Sequence, residues 1–262
     1  MRRAIHAEWT KLRTLPSTGW LLAGTVLAIV AASLVGILST DTRHCPTPAE
    51  CFEDTVKLSL GGIRLGQIVV VVLAVLAVSG EYATGTMRQT LIAGPRRLTV
   101  LAAKAVVVAA AVAGAGTLGV LGSLVAGRLI LPGNGFTEAD GYPPPSLADG
   151  PTLRAAGGSV GYLVLVALLA LGAALVIRDT AGTITAVFVL LFVAPIAGLV
   201  VTDPEWRELL DRFTPMTAGL SVQSTVGLDS LPIGPLGGLG VLAAYSAAAL
   251  VAGSALFAVR DQ

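Results

Sequence analysis

Histidine is nearly missing from this chain. His6 and His44 are the only two in 262 residues, and neither falls in an apolar run. An intramembrane serine hydrolase is thereby without its base, and Gly253-Ser254-Ala255 reads instead as small-residue helix packing. Charge is scarce as well, at 13% against about a quarter in an average soluble domain. No long apolar run carries an Asp, Glu or His in its interior, where proton-coupled pumps and carriers usually hold one. That counts against a secondary transporter. No Gly-x-x-x-x-Gly-Lys-Ser/Thr phosphate loop occurs, so the chain is not expected to act as an ATPase, or as an enzyme of any kind. Aromatics are only 5%, and the apolar runs are smooth and aliphatic, with no fixed-charge pocket for a small ion. The net charge of +1 is divided among separate segments instead of gathered in a patch, so nucleic acid is not an expected partner.

What the chain has is apolar residue, 54% of the total. The expectation is an all-α integral membrane protein, one transmembrane domain over residues 1–262. A span needs about 20 apolar residues. Six stretches qualify, at about 19–39, 60–79, 105–127, 155–177, 180–202 and 234–259. The first has a rival reading as a signal peptide, but its apolar core is too long and Glu8 stands in its lead. Arg178-Asp179 alone joins the fourth and fifth stretches, forcing them antiparallel. Pro195 should kink the fifth. Gly62/Gly66, Gly157/Gly161 and Gly234/Gly238 have Gly-x-x-x-Gly spacing, but among 31 glycines several such pairs arise by chance, and no dimer face is assigned from them.

Between the spans, four segments invite a reading. Residues 2–14 form an amphipathic helix with Ile5, Trp9 and Leu12 on one stripe and Arg2, Arg3, His6, Lys11 and Arg13 opposite. It either lies along the inner headgroup layer or is a solvated cationic lead, and Trp9, Lys11 and Arg13 are its candidate interface residues. Pro16 ends it, and Ser17 or Thr18 can cap the next helix. Residues 40–57 hold both cysteines, Cys45 and Cys51, either as a small disulfide-closed loop outside the cell or as two free thiols. A metal site there has only His44 and Glu50 or Glu53 to complete it and is not assigned. Arg64 opens the second span and can snorkel toward Asp54 or Glu53, the alternative being a functional intramembrane arginine.

The third segment, Gly80 to Arg97, is polar and cationic between two apolar runs. Thr84 to Ile92 suits about two helical turns, Gly94-Pro95 stops them, and a new helix begins at Arg96. A short helix held there is a handle for a cytoplasmic partner. Glu81 beside Arg88 can pair with a basic partner residue or serve only as a local cap. The last, residues 203–229, reads as two short helices at the outer face. The loop from Leu131 to Pro151 is Pro- and Gly-rich and is expected to be irregular, without an assigned role.

Short loops rich in Lys and Arg stay in the cytoplasm. Ten of the 17 basic residues fall in the proposed inner segments, eight of them flanking the first and third spans. Both termini are therefore expected inside. Arg outnumbers Lys 14 to 3 in an Ala-, Gly- and Val-rich chain, a composition of high-GC bacteria, which gives the bacterial plasma membrane as the expected location.

Several stretches together resemble the type-2 ABC transporter permeases in their actinobacterial style. Ala7-Glu8-Trp9-Thr10-Lys11-Leu12-Arg13 is similar to that family's N-terminal interface helix. Gly80-Glu81-Tyr82-Ala83-Thr84-Gly85-Thr86 through Pro95-Arg96-Arg97 and Ala103-Lys104 looks like its coupling segment. Ile177-Arg178-Asp179-Thr180-Ala181-Gly182 resembles the turn between spans four and five, and Thr214-Pro215-Met216-Thr217-Ala218-Gly219 the segment before the last span. The resemblance implies an exporter subunit. It would work as a homodimer, or with a paralogue, on two P-loop ATPase subunits that bind ATP and Mg, with no cofactor in this chain. It places Glu81, Thr84, Gly85, Thr86 and Arg88 at or near the motor contact, and Arg96 and Arg97 on lipid headgroups or the motor. Cargo would be amphipathic or hydrophobic. The competing classes are a secondary transporter or channel working without ATP, and a membrane anchor that transports nothing.

Overall fold

The computed structural model describes residues 1–41, 53–83 and 97–260, and among them every regular element is helical. Six helices are long and apolar enough to cross a membrane. They are α2 (Pro16–Leu38), α4 (Ile63–Ala83), α5 (Arg97–Ile130), α6 (Gly150–Ile177), α7 (Thr180–Val200) and α10 (Pro235–Arg260). Four shorter helices accompany them: α1 (Arg2–Thr14), α3 (Thr55–Ser59), α8 (Pro204–Phe213) and α9 (Pro215–Leu220). Lipid offers no partner to a backbone N–H or C=O, so an apolar chain of this length satisfies itself as helix. Each expected span has its helix. The third departs most, because α5 has 34 residues, about 51 Å at the α-helical rise. It is therefore longer than a hydrocarbon layer about 30 Å thick.

Helix α6 is the axis of the bundle and packs on α4, α5, α7 and α10. Tyr162, Leu163, Val166, Ala167, Ala170, Leu171, Ala174 and Leu175 are all fully buried, pairs of neighbours repeating every four residues down one broad face. The approach to α10 is close because both helices lack a side chain there. A Cβ on Gly172 would lie 2.6 Å from the Ala249 carbonyl carbon, and one on Gly253 would lie 2.8 Å from the Gly172 oxygen. A second close crossing joins α2 to α4. A Cβ on Gly62 would meet the Ile29 carbonyl oxygen at 1.9 Å, and one on Gly66 the Ile29 side chain at 2.3 Å. The Gly62/Gly66 pair thus serves packing within the chain.

The tight turn between α6 and α7 forms at Arg178-Asp179. Arg178 takes a left-handed conformation (φ 63°) as the cap of α6. The Asp179 carboxylate then accepts the Gly182 N–H at 2.6 Å, capping α7. At the start of α2 the local expectation fails. Leu15 is the N-cap, Pro16 occupies the first turn, and neither Ser17 nor Thr18 caps the helix. Proline at that position leaves no room in register for a hydroxyl one or two residues further on.

At the end of the bundle away from α1, the described residues between α5 and α6 form turns. The expected irregular loop contains two 3-10 turns, Leu131–Asn134 and Glu138–Asp140. Phe136 and Tyr142 pack edge to face at 5.0 Å, both buried with Ile37 and Leu131. The Asn134 amide donates to the Ile37 and Thr40 carbonyls, closing the end of α2. Both short helices expected in residues 203–229 are present. Helix α9 does more than lie at the surface, since Met216, Ala218 and Leu220 are buried against α7, α6 and α10.

Candidate functional site

Four charged side chains meet where α1 crosses the end of α4 and the beginning of α5. Helix α1 presents Glu8 and Lys11, one turn apart. Glu81 closes α4, and Lys104 stands two turns into α5. The Lys104 ammonium donates to Glu8 Oε2 at 2.8 Å, Glu81 Oε1 at 3.0 Å and the Ala77 carbonyl at 3.0 Å. Lys11 donates to Glu8 Oε1 at 2.9 Å and to the same Glu81 oxygen at 3.0 Å. The charges alternate, so two carboxylates and two ammonium groups neutralise one another in the smallest space available.

Burial decides how much each pair matters. The side chains of Glu8 and Lys104 are each only 4% exposed, that of Glu81 13%, and that of Lys11 41%. Breaking a buried pair from one side typically costs about 3–5 kcal/mol, because the remaining charge is left without compensation. An exposed pair is worth about 0–1 kcal/mol. Burial by itself pushes the Glu8 carboxyl up. The Lys104 charge and the hydrogen bonds from Lys104 and Lys11 outweigh it and hold the group below its ordinary value. Burial pushes the Lys11 ammonium down, and the hydrogen bonds to Glu8 and Glu81 carry it above its ordinary value instead.

The sequence candidates fall out as follows. Glu81 and Lys11 are drawn into one cluster. Glu8 and Lys104 are members that the site assignment missed. The available signal was an acidic residue alone in a basic helix three positions before Lys11, together with a lysine inside the length of a span helix. Trp9 is 46% exposed and Arg13 is exposed. The face of α1 that packs on the bundle is Ile5, Glu8 and Leu12, so the expected stripe is divided and Trp9 points away from the core. Arg97 begins α5. Thr84, Gly85, Thr86, Arg88, Arg96, Cys45 and Cys51 lie outside the described residues, as does the expected short helix between the second and third spans.

Beside the four charges opens a cavity of about 540 Å³, lined on one side by Leu12, Leu21, Leu73 and Leu76 and on the other by the cluster and Ser17 and Thr18. A second cavity of about 530 Å³ lies at the opposite end, among Asp54, Tyr142, Pro143, Thr152 and Thr225. Its wall is a clasp. Asp54 caps α3 by accepting from the Val56 and Lys57 N–H groups, and it also accepts from the Thr225 hydroxyl at 2.8 Å and the Val226 N–H at 3.2 Å. Asp54 is thus committed to backbone and hydroxyl donors. Arg64 is exposed, and among the described residues it makes no ion pair with Asp54 or Glu53.

A buried polar seam lies inside the bundle next to the Asp54 clasp. Tyr162 donates to the Gln67 side-chain oxygen, and the Gln67 amide reaches Met216 Sδ at 3.4 Å. Gln223 donates to the Leu60 carbonyl at 3.3 Å and the Ser159 hydroxyl at 3.2 Å. These bonds pair the buried Gln67 and Gln223 side chains, the latter on the short 3-10 turn Ser221–Gln223 that follows α9. Among the described residues no group of three or more His, Cys, Asp or Glu could hold a metal ion. No protein-family model matches the chain, and no curated protein matches it.

Proposed function

We propose that the chain is the membrane-spanning permease subunit of an ATP-driven ABC exporter. Its motor would be a pair of separate P-loop ATPase subunits carrying ATP and Mg, and its partner across the assembly a second copy or a paralogue. Residues 84–96 would take the stroke of the motor on the cytoplasmic side, with both termini on that side. The observation that supports this reading best is the cluster of Glu8, Lys11, Glu81 and Lys104. It ties together the two helix ends that flank residues 84–96 and adds α1 to them. A force applied to that segment would reach α1, α4 and α5 as one body instead of bending a loose loop. Smooth aliphatic spans suit an amphipathic or hydrophobic cargo.

The decisive experiment is a mild-detergent pull-down of the tagged protein from its native membranes, with mass spectrometry of what accompanies it. The expected result is a stoichiometric P-loop ATPase, lost when Arg88 and Arg96 are reversed to Glu while the permease remains inserted. Recovery of the protein alone at good yield, with no ATPase captured by crosslinking, would remove the proposal.

A further inference from the structure

We infer that the cavity beside the four charges seats one zwitterionic aminophospholipid, held as a resident lipid and not as cargo. The inference rests on the membrane reading and is independent of any ATPase. At about 540 Å³ the space is far larger than the roughly 30 Å³ of a water molecule and lies within the range of about 300–1,000 Å³ of ligand sites.

Three parts of its wall each match a different part of such a lipid. Leu12, Leu21, Leu73 and Leu76 make an apolar side on which an acyl chain is removed from water. Leu15, Ser17 and Thr18 of the first turn of α2 line another side, and that turn has no side-chain cap. The positive end of the 23-residue helix favours a phosphate, as does the half-exposed Lys11 ammonium lining the same cavity. Glu81 supplies the third part. One of its oxygens serves both lysines, while Oε2 is buried and, among the described residues, accepts no hydrogen bond. A buried acceptor left unpaired is costly. The terminal torsion of a glutamate is broad, so a small turn of the carboxylate presents this oxygen to a donor in the cavity. A primary ammonium has both the N–H donors and the charge that it needs. A choline head has no N–H, and a glycerol head has no positive charge.

The test uses the full chain in nanodiscs of equal parts dioleoyl phosphatidylethanolamine, phosphatidylcholine and phosphatidylglycerol, read by native mass spectrometry after release. One retained phosphatidylethanolamine per chain is expected, about tenfold over either other lipid, as one charge-assisted hydrogen bond provides. Leu76→Trp, which fills the cavity at a half-exposed position and leaves all charges in place, should abolish retention of every class. Glu81→Gln should bring phosphatidylethanolamine to parity with phosphatidylcholine. Equal retention of the three lipids by the native chain, a preference for phosphatidylglycerol, no retained lipid, or undiminished retention by Leu76→Trp would each overturn the inference.

Discussion

Lys104 commits its ammonium group to three acceptors, two carboxylates and one carbonyl, and keeps almost no contact with solvent. Lys104→Met is therefore expected to cost about 3 kcal/mol, since it removes the buried partner of Glu8 and leaves that carboxylate only the half-exposed Lys11. Lys11→Met, at a half-exposed position, should cost about 1 kcal/mol or less. Chemical unfolding in detergent compares the two, and equal losses would mean that Lys104 is not the buried keystone of the cluster. The depressed Glu8 group makes a separate prediction about pH. Its stabilisation is present above the ordinary carboxylate value of 4.5 and is lost as pH falls through the lower folded value. Lys11, raised above 10.5, contributes fully below that value and loses its contribution only as pH rises beyond it. Thermal unfolding should thus show a plateau at neutral pH and a fall below about pH 4.5. Glu8→Gln should flatten that acid limb specifically, and an unchanged limb would assign it to other carboxylates. Of these pairings only Glu8–Lys11, one helical turn apart, was legible along the chain. Glu8 and Lys104 stand 96 positions apart, and a sequence shows two isolated charges where the fold makes one neutral cluster.

At the scale of elements, glycine positions separate packing from coincidence. Three Gly-x-x-x-Gly pairs have the same spacing, yet only their neighbours reveal what each does. Gly62 and Gly66 lie against Ile29 of α2, whereas Gly157 and Gly161 have open space where a Cβ would go. Gly62→Ala should therefore destabilise by about 1–3 kcal/mol, the usual cost of overpacking, while Gly157→Ala should be neutral or slightly stabilising through its better helix propensity. Melting temperatures of the two variants check this, and similar values would argue against the α2–α4 crossing. The same dependence on neighbours explains α9. Its residues are only moderately apolar, so hydropathy leaves it at a surface. Its burial depends on Gln67 and Met216, and on Ser159, Leu60 and Gln223 beyond its end, meeting across the bundle.

Taken whole, the described residues form a bundle of six long helices whose two ends are closed differently, by buried ion pairs at the α1 end and by the Asp54 clasp and the packed turns around Leu131 to Tyr142 at the other. In the proposed orientation the α1 end faces the cytoplasm, the side that the positive-inside rule gives to segments dense in basic residues. In a background with Cys45 and Cys51 replaced by Ser, Ala93→Cys should react with impermeant reagent only from the cytoplasm, and Gly141→Cys only from outside. Reversal of either would invert the assembly and remove the motor-facing role of residues 84–96.

By itself the sequence determined that there are six long apolar helices, roughly where each begins and ends, and that a short basic helix precedes them. It could do so because lipid-compatible helix is a local property, set by about 20 consecutive residues and by the need of every backbone group for a partner within the segment. Only the tertiary structure decided that Glu81 binds inward to Lys11 and Lys104, that Asp54 holds Thr225 and Val226, and that α9 is buried. Each of these depends on side chains from distant segments arriving at hydrogen-bond distance, and that meeting exists only once the helices have packed.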